Sequence, residues 1–448
     1  ANNWIGPRSF AKVTDIPNWS DINPRIGISY DLFGTGRTAL KASAGRYVAK
    51  TNVDVPQQLN PINTSVNAAT RSWNDGLYGA GDPRSGNFVP DCDLGDFLAN
   101  GECGALNNQN FGRANPNALV WSDAVRKGWG VRDSNWDYSL EVQHEVRRGL
   151  STTAGYYRNT GGYFRNTDSI NRVTDNILVA PGDFDTFCVT APNDPRLPNG
   201  GGYQVCGMAD VKPGKFGQVQ QVVQPTSDFG KNTRHNDFFT ISIDGRFSGG
   251  ARLGGGFDTG RSVNDTCFTV DAPGYFNFPA GGFGGLTFGP QSATTIDGKS
   301  VCRIVTPFKA QTQVKLNGSL PIKGGFVVSG VYQDMSGPAI EAVWAAPNSA
   351  IAPSLGRNLS GGALTANIPL IAPQTMFEGR IRRLDLRLTK FFQLTPRVRL
   401  QANLDAYNSL NSSAIQSLLT AFAPASIWPR PATLLDPRIL QLSAQLSF

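Results

Sequence analysis

The sequence predicts an all-β fold laid out as one large antiparallel sheet, and three observations carry that prediction. Apolar and polar residues alternate over runs of about ten residues, tight glycine-bearing turns join the runs in pairs, and long irregular segments separate the pairs. A period of two places the alternating sets on opposite faces of a strand, and a link of a few residues makes neighbouring runs an antiparallel hairpin.

The elements follow in chain order. Residues 23–50, "NPRIGISYDLFGTGRTALKASAGRYVAK", read as a strand pair turning at Gly34-Thr35-Gly36. Residues 135–164 set Leu140, Val142 and Val146 against Ser139, Glu141, Gln143 and Glu145, and turn at Arg147-Arg148-Gly149. Residues 237–262 turn at Ser248-Gly249-Gly250, and residues 312–337 turn near Lys323-Gly324. In residues 383–411, Leu384, Leu386 and Leu388 share a face opposite Asp385, Arg387 and Thr389. After a break at Leu394-Thr395-Pro396, Val398, Leu400, Ala402, Leu404 and Ala406 alternate with Arg399, Gln401, Asn403, Asp405 and Tyr407. Proline suits that turn because it presets its own φ and needs no donor at a strand start. The last run places Leu440, Leu442, Ala444, Leu446 and Phe448 opposite Gln441, Ser443, Gln445 and Ser447.

About eleven strands result, with connections that alternate strictly between a few residues and roughly 25 to 85. Soluble sandwiches and barrels keep most loops short, whereas short-then-long alternation is expected of an antiparallel outer-membrane β-barrel, with short periplasmic turns and long extracellular loops. In that setting the leucine face meets lipid and the Arg/Asp/Gln/Asn face lines a wet interior. Tyr156, Tyr157, Phe391 and Phe392 stand near strand ends, where aromatic girdles lie. A sheet in lipid must close, and single-chain bacterial barrels carry even strand numbers. An odd count of about eleven therefore leads us to expect that residues 1–448 are the C-terminal part of a longer transmembrane barrel, with its first strand entered from the extracellular side.

Composition narrows the function. The chain has 448 residues and a formal charge of +7, but Lys and Arg are scattered along polar faces and loops rather than concentrated, which argues against nucleic acid as a partner. No run of roughly 18 apolar residues exists, so no helix candidate spans a membrane. The six cysteines fall into three local pairs, Cys92 with Cys103, Cys188 with Cys206 and Cys267 with Cys302, each inside a long connection. Local pairing is the simplest disulfide scheme and places these loops in an oxidising space. Zinc is disfavoured, since no C-x2-C spacing is present and only His144 and His235 add nitrogen ligands. We expect no cofactor and no enzyme activity. His235 and Asp237 merely share a strand face, and the glycine-rich "LGGGFDTG" and "GGFGGLTFG" lack the strand-to-helix setting of a phosphate cradle. Asn63-Thr64-Ser65 matches a glycosylation acceptor of the length that arises by chance.

Beyond pattern, "DINPRIGISYDLFGTGRTALKASAGRYV", "RRLDLRLTKFFQLTPRVRLQANLDAYNSLN" and the terminal "DPRILQLSAQLSF" resemble the C-terminal barrel half of TonB-dependent receptors, and most closely the Oar-like group that carries an N-terminal carboxypeptidase-regulatory-like domain. The resemblance implies a 22-stranded barrel in the bacterial outer membrane, a plug in its lumen and a TonB-contacting box before the plug. No plug or box is recognisable here, so contact with TonB is expected through a region outside these residues. Leu440, Leu442, Leu446 and Phe448 resemble the signal that the barrel-assembly machinery reads. The function implied is energised uptake of an extracellular ligand. Trp73, Trp121 and Trp129 flank the first cysteine pair and are candidate ligand contacts, because an exposed indole stacks on sugars or peptides and donates one N–H. A passive porin and a surface adhesion or secretion-associated barrel are the alternatives, and the substrate is not legible.

Overall fold

The computed structural model describes residues 7–50, 53–161, 172–270 and 294–448. The stretch "GGFGGLTFG" lies outside the described residues, as does the end of the second hairpin beyond Gly161.

Among the described residues, eleven strands form a continuous wall in which each pairs with the next wall strand in the chain. They are β1 (Arg25–Asp31), β2 (Thr38–Val48), β3 (Ser134–Arg147), β4 (Leu150–Gly161), β5 (Thr233–Arg246), β6 (Arg252–Asp265), β7 (Gln313–Ile322), β8 (Phe326–Met335), β9 (Ile381–Gln393), β10 (Arg399–Tyr407) and β11 (Ile439–Ser447). A short strand, Arg303–Thr306, adds to the loop-side end of β6. Every pairing along the wall is antiparallel, as the expected hairpins require. Among the described residues the wall does not close, and β1 and β11 are its edges. Arg147 remains in β3, paired with Leu150, so the turn there is tighter than the sequence suggests. Its Gly149 is left-handed at φ 75°, and a Cβ there would stand 2.4 Å from the Arg246 carbonyl oxygen of β5. Glycine alone lets this turn lie against its neighbour.

Register keeps the two faces separate across the whole wall. One face carries rows such as Leu388, Leu404 and Leu442, or Leu140, Tyr156 and Phe239. These side chains are exposed to the surroundings: Ile28 is 66% exposed, Ile241 58% and Leu442 82%. The other face is a lattice of polar contacts. Lys41 donates to Gln143 at 2.7 Å, the Ser43 and Ser139 hydroxyls meet at 2.7 Å, and Thr389 donates to Asn403 at 2.8 Å. Arg387 holds Asp405 through two hydrogen bonds, one of them 3.0 Å long. A lattice of this kind is stable beside water and costly against lipid, so the apolar face is the membrane face. From Tyr138 to Val146 the apolar side chains of β3 cover roughly 26 Å of strand, or about 20 Å once barrel tilt is included, close to the height of a membrane-facing band.

Only two of the four expected girdle aromatics face lipid. Adjacent residues of a strand face opposite sides, so only one of each aromatic pair can meet lipid. Tyr156 and Phe392 lie in the apolar rows. Tyr157 donates its hydroxyl to Glu141 at 3.0 Å, and Phe391 pairs with Gln401 under the Arg399 guanidinium, so both face inward.

The long connections are not loose. Phe187, Val189, Val205 and Met208 come from the strands Phe184–Thr190 and Gln204–Val211. They pack with Ile296, with Ala346, Ile351, Ile368 and Leu370, and with Phe422 and Trp428. Segments from four successive connections thus share one apolar core on the loop side of the wall. A smaller core joins Val55, Trp121, Val125 and Val223. Disulfides link Cys92 to Cys103, Cys188 to Cys206 and Cys267 to Cys302, all within these connections.

Candidate functional site

Two regions can meet a solute: the polar face of the wall and the loop body above it. On the polar face, Arg252, Asn317, Ser329, Asp385, Arg387 and Asp405 line an open groove of about 450 Å³. Asp385 accepts hydrogen bonds from Arg383 Nε at 2.9 Å and from the Asn408 backbone N–H at 2.8 Å, so the wall positions it at the mouth of the last connection. Alternating cations and carboxylates on one surface can hold polar solutes or a polar protein surface by hydrogen bonds.

The loop body is tied together by charge as well as by its core. Arg357 reaches Asp185 at 2.9 Å and Asp210 at 2.5 Å, joining two connections. Burial opposes its charge, but the hydrogen bonds to Asp210 and Asp185 outweigh that and raise its pKa. Burial pushes the Tyr203 phenol up to about 12, and its hydroxyl donates to the Leu370 carbonyl. Glu341 is a different case. Its residue is 7% exposed, neither carboxylate oxygen has a hydrogen-bond partner among the described residues, and burial pushes its carboxyl up to about 7.

The three tryptophans are placed differently. Trp121 is buried in the smaller core, with its Nε1–H donating to Gln58 at 3.0 Å, and offers no face to a ligand. Trp73 is 42% exposed and donates to Glu102 at 3.1 Å beside the first disulfide. Trp129 is 72% exposed, in the strand Lys127–Trp129 that pairs in parallel with Asn18–Ser20. At the far edge of the wall, Leu440, Leu442 and Leu446 of β11 lie on the apolar face, and Phe448 is almost fully exposed.

His235 stands 3.9 Å from Asp237, but that carboxylate is already engaged by Arg158 at 2.9 Å and by the Tyr156 hydroxyl at 2.7 Å. Among the described residues no group of three or more His, Cys, Asp or Glu could hold a metal, and no helix is long and apolar enough to cross a membrane. Glu341 and the loop core were missed in the sequence, where neither carries a periodic signal.

Residues 11–224 match the family described as outer membrane beta barrel domain. No curated protein matches the chain by sequence. Among solved structures, the outer membrane transporter YddB from Escherichia coli is similar at 10% identity and a TM-score of 0.45, over 95% of this chain and 40% of that one. The ferripyoverdine receptor of the outer membrane of Pseudomonas aeruginosa is similar at 12% identity and a TM-score of 0.40, over 95% and 32%. The ferric-catecholate import receptor Fiu from Escherichia coli follows at 12% identity and a TM-score of 0.39, over 94% and 34%. The chain spans well under half the length of each of these proteins. The match over residues 11–224 and the antiparallel wall, apolar on one face and polar on the other, agree on an outer-membrane β-barrel fold, and the chain is a protein of the bacterial outer membrane.

Proposed function

We propose that this chain forms part of a TonB-dependent receptor that takes up an extracellular ligand with energy supplied through TonB. The observation that carries the reading is the loop body: four connections interlocked by one core and pinned by disulfides form a stable surface for capture, set above a polar inner wall. A simple pore needs no such body. The open edges at β1 and β11 leave backbone N–H and C=O groups that lipid cannot satisfy, which supports further strands completing the wall. We take those strands, up to the 22 that the resemblance implies, together with the plug and the TonB-contacting box, to lie outside residues 1–448. In the same reading the loop side faces the cell exterior, Trp73 and Trp129 contact the ligand, and Leu440, Leu442, Leu446 and Phe448 are read during barrel assembly.

The test is depletion of solutes from the growth medium by cells with and without the gene, each with TonB active or inactivated. A solute depleted only when both are present supports the reading. A solute that still equilibrates without TonB would favour a passive porin, and lost surface attachment with unchanged depletion would favour an adhesion barrel.

A further inference from the structure

The apolar face ends, on the loop side, in a repeated arrangement of charge. In the register of the wall, Arg158 of β4, Asp237 of β5 and Arg261 of β6 lie side by side. Asp237 meets Arg158 at 2.9 Å and Arg261 at 3.8 Å, and its side chain is only 9% exposed. Further along the wall, Asp334 of β8 meets Arg380 at 2.5 Å and Arg382 of β9 at 3.4 Å. Each group sets two guanidinium cations around one nearly covered carboxylate, so each leaves one positive charge in excess. The arginines are the outer members: Arg158 and Arg261 are just under half exposed and Arg382 is 61% exposed.

Their height on the wall is fixed by their neighbours. Asp237 continues the face of Phe239 and Ile241, and Arg382 continues the face of Leu384, Leu386 and Leu388. Directly below the first group, Tyr156 and Phe239 are in ring contact at 5.1 Å, and Phe239 reaches Phe308 at 6.4 Å. Beside it, Tyr138 pairs with Arg158 and stacks on Trp136 at 6.0 Å. Aromatic rings mark the edge of the hydrocarbon layer, and charges one step above them on the same face stand at the level of lipid headgroups. A guanidinium holds one carboxylate oxygen with part of its five-donor fork and keeps the remaining N–H groups for a second anion.

We propose that Arg158 and Arg261 of the first group and Arg382 of the second bind the phosphate groups of anionic lipids in the loop-side leaflet, while Arg380 is held by Asp334 and the Thr312 carbonyl oxygen. This rests on the outer-membrane wall and on the loop side facing outward. Nucleic acid and soluble anions are poorer occupants, because the groups sit against the membrane boundary rather than on the loop body.

The test uses the whole barrel, residues 1–448 together with the strands that complete the wall, in nanodiscs of phosphatidylcholine containing a minor fraction of phosphatidic acid, with bound lipid read by native mass spectrometry. The wild type should retain phosphatidic acid preferentially. A variant carrying Arg158→Gln, Arg261→Gln and Arg382→Gln should retain at least about tenfold less, given the usual gain per basic residue near an anionic surface. Lys323→Gln, on the opposite rim, should leave retention unchanged, and Asp237→Asn should raise it by removing the competing anion. Equal retention by wild type and the triple variant, or an equal loss in Lys323→Gln, would overturn the proposal. Should the triple variant fail to assemble, Arg261→Gln and Arg382→Gln are read singly against the same criterion. A wild type that never enters the bilayer would overturn the wall and this site together, and heat-modifiable migration of the folded chain distinguishes that case.

Discussion

Glu341 offers the sharpest energetic test of the loop body. It lies at the seam between two connections: its backbone oxygen accepts the Trp428 indole N–H at 3.1 Å, and Ala342 and Trp428 are both in the loop core. Its carboxyl rises from 4.5 to about 7, and burial is the sole cause. Of the charged residues on the segments packed nearby, Arg196 is engaged by Asp194 and Arg380 by Asp334, so neither compensates it. Because the folded state holds the proton more tightly than the unfolded chain, the stabilisation is complete below about pH 4.5 and is lost as pH rises through about 7. That gap is worth about 3 kcal/mol, or roughly a hundredfold in the opening equilibrium. Amide hydrogen exchange reads it at Val343, bonded to the Thr420 oxygen, and at Leu370, bonded to the Ala342 oxygen. After correction for intrinsic exchange, protection at both should fall by that order between pH 5 and pH 9, and Glu341→Gln should flatten the dependence. A flat wild-type profile, or an undiminished dependence in Glu341→Gln, would show that the Glu341 carboxyl does not couple to the stability of the loop body.

Three other outcomes are expected. Replacing Cys188 and Cys206 together by Ser opens a link across 18 residues and should destabilise the loop body by about 3 kcal/mol, seen as faster proteolysis within residues 176–232 while heat-modifiable migration persists. A methyl at Gly155 would come within 2.8 Å of the Tyr157 hydroxyl, so Gly155→Ala should cost about 1 kcal/mol of barrel stability; a double-mutant cycle with Tyr157→Ala should recover most of it. Asp405→Ala strips Arg387 of its partner on the inner wall. Because the arginine is 46% exposed to lumenal water, the loss should be limited to about 1 kcal/mol, and the double variant with Arg387→Ala should lose less in the same denaturant titration.

The wall was legible because two solvents act on it at once. Lipid and water select opposite chemistries on the two sides of every strand, so Leu384 to Leu388 and Ile439 to Ser447 announce both period and face. The cysteine pairs were legible for a simpler reason, since each lies within one connection. The loop core was not. Its strands are short, no sustained alternation marks segments such as Thr365–Pro369, and the partners of Ile368 and Met208 come from distant parts of the chain. Trp121 shows the same limit: exposed and buried indoles look alike in sequence until Val55 and Val223 are seen packed with it. Glu341 gave no sign, because its neighbours Ile340 and Ala342 carry no period that marks burial.

The two faces of the wall are read most directly by spin-label accessibility along β3 in outer-membrane vesicles. Labels at Leu140, Val142 and Val146 should collide with oxygen dissolved in lipid, and labels at Glu141, Gln143 and Glu145 with a water-soluble nickel chelate, in alternation along the strand. Equal access of both reagents to both sets would contradict a membrane-spanning wall with one face in lipid and one in water.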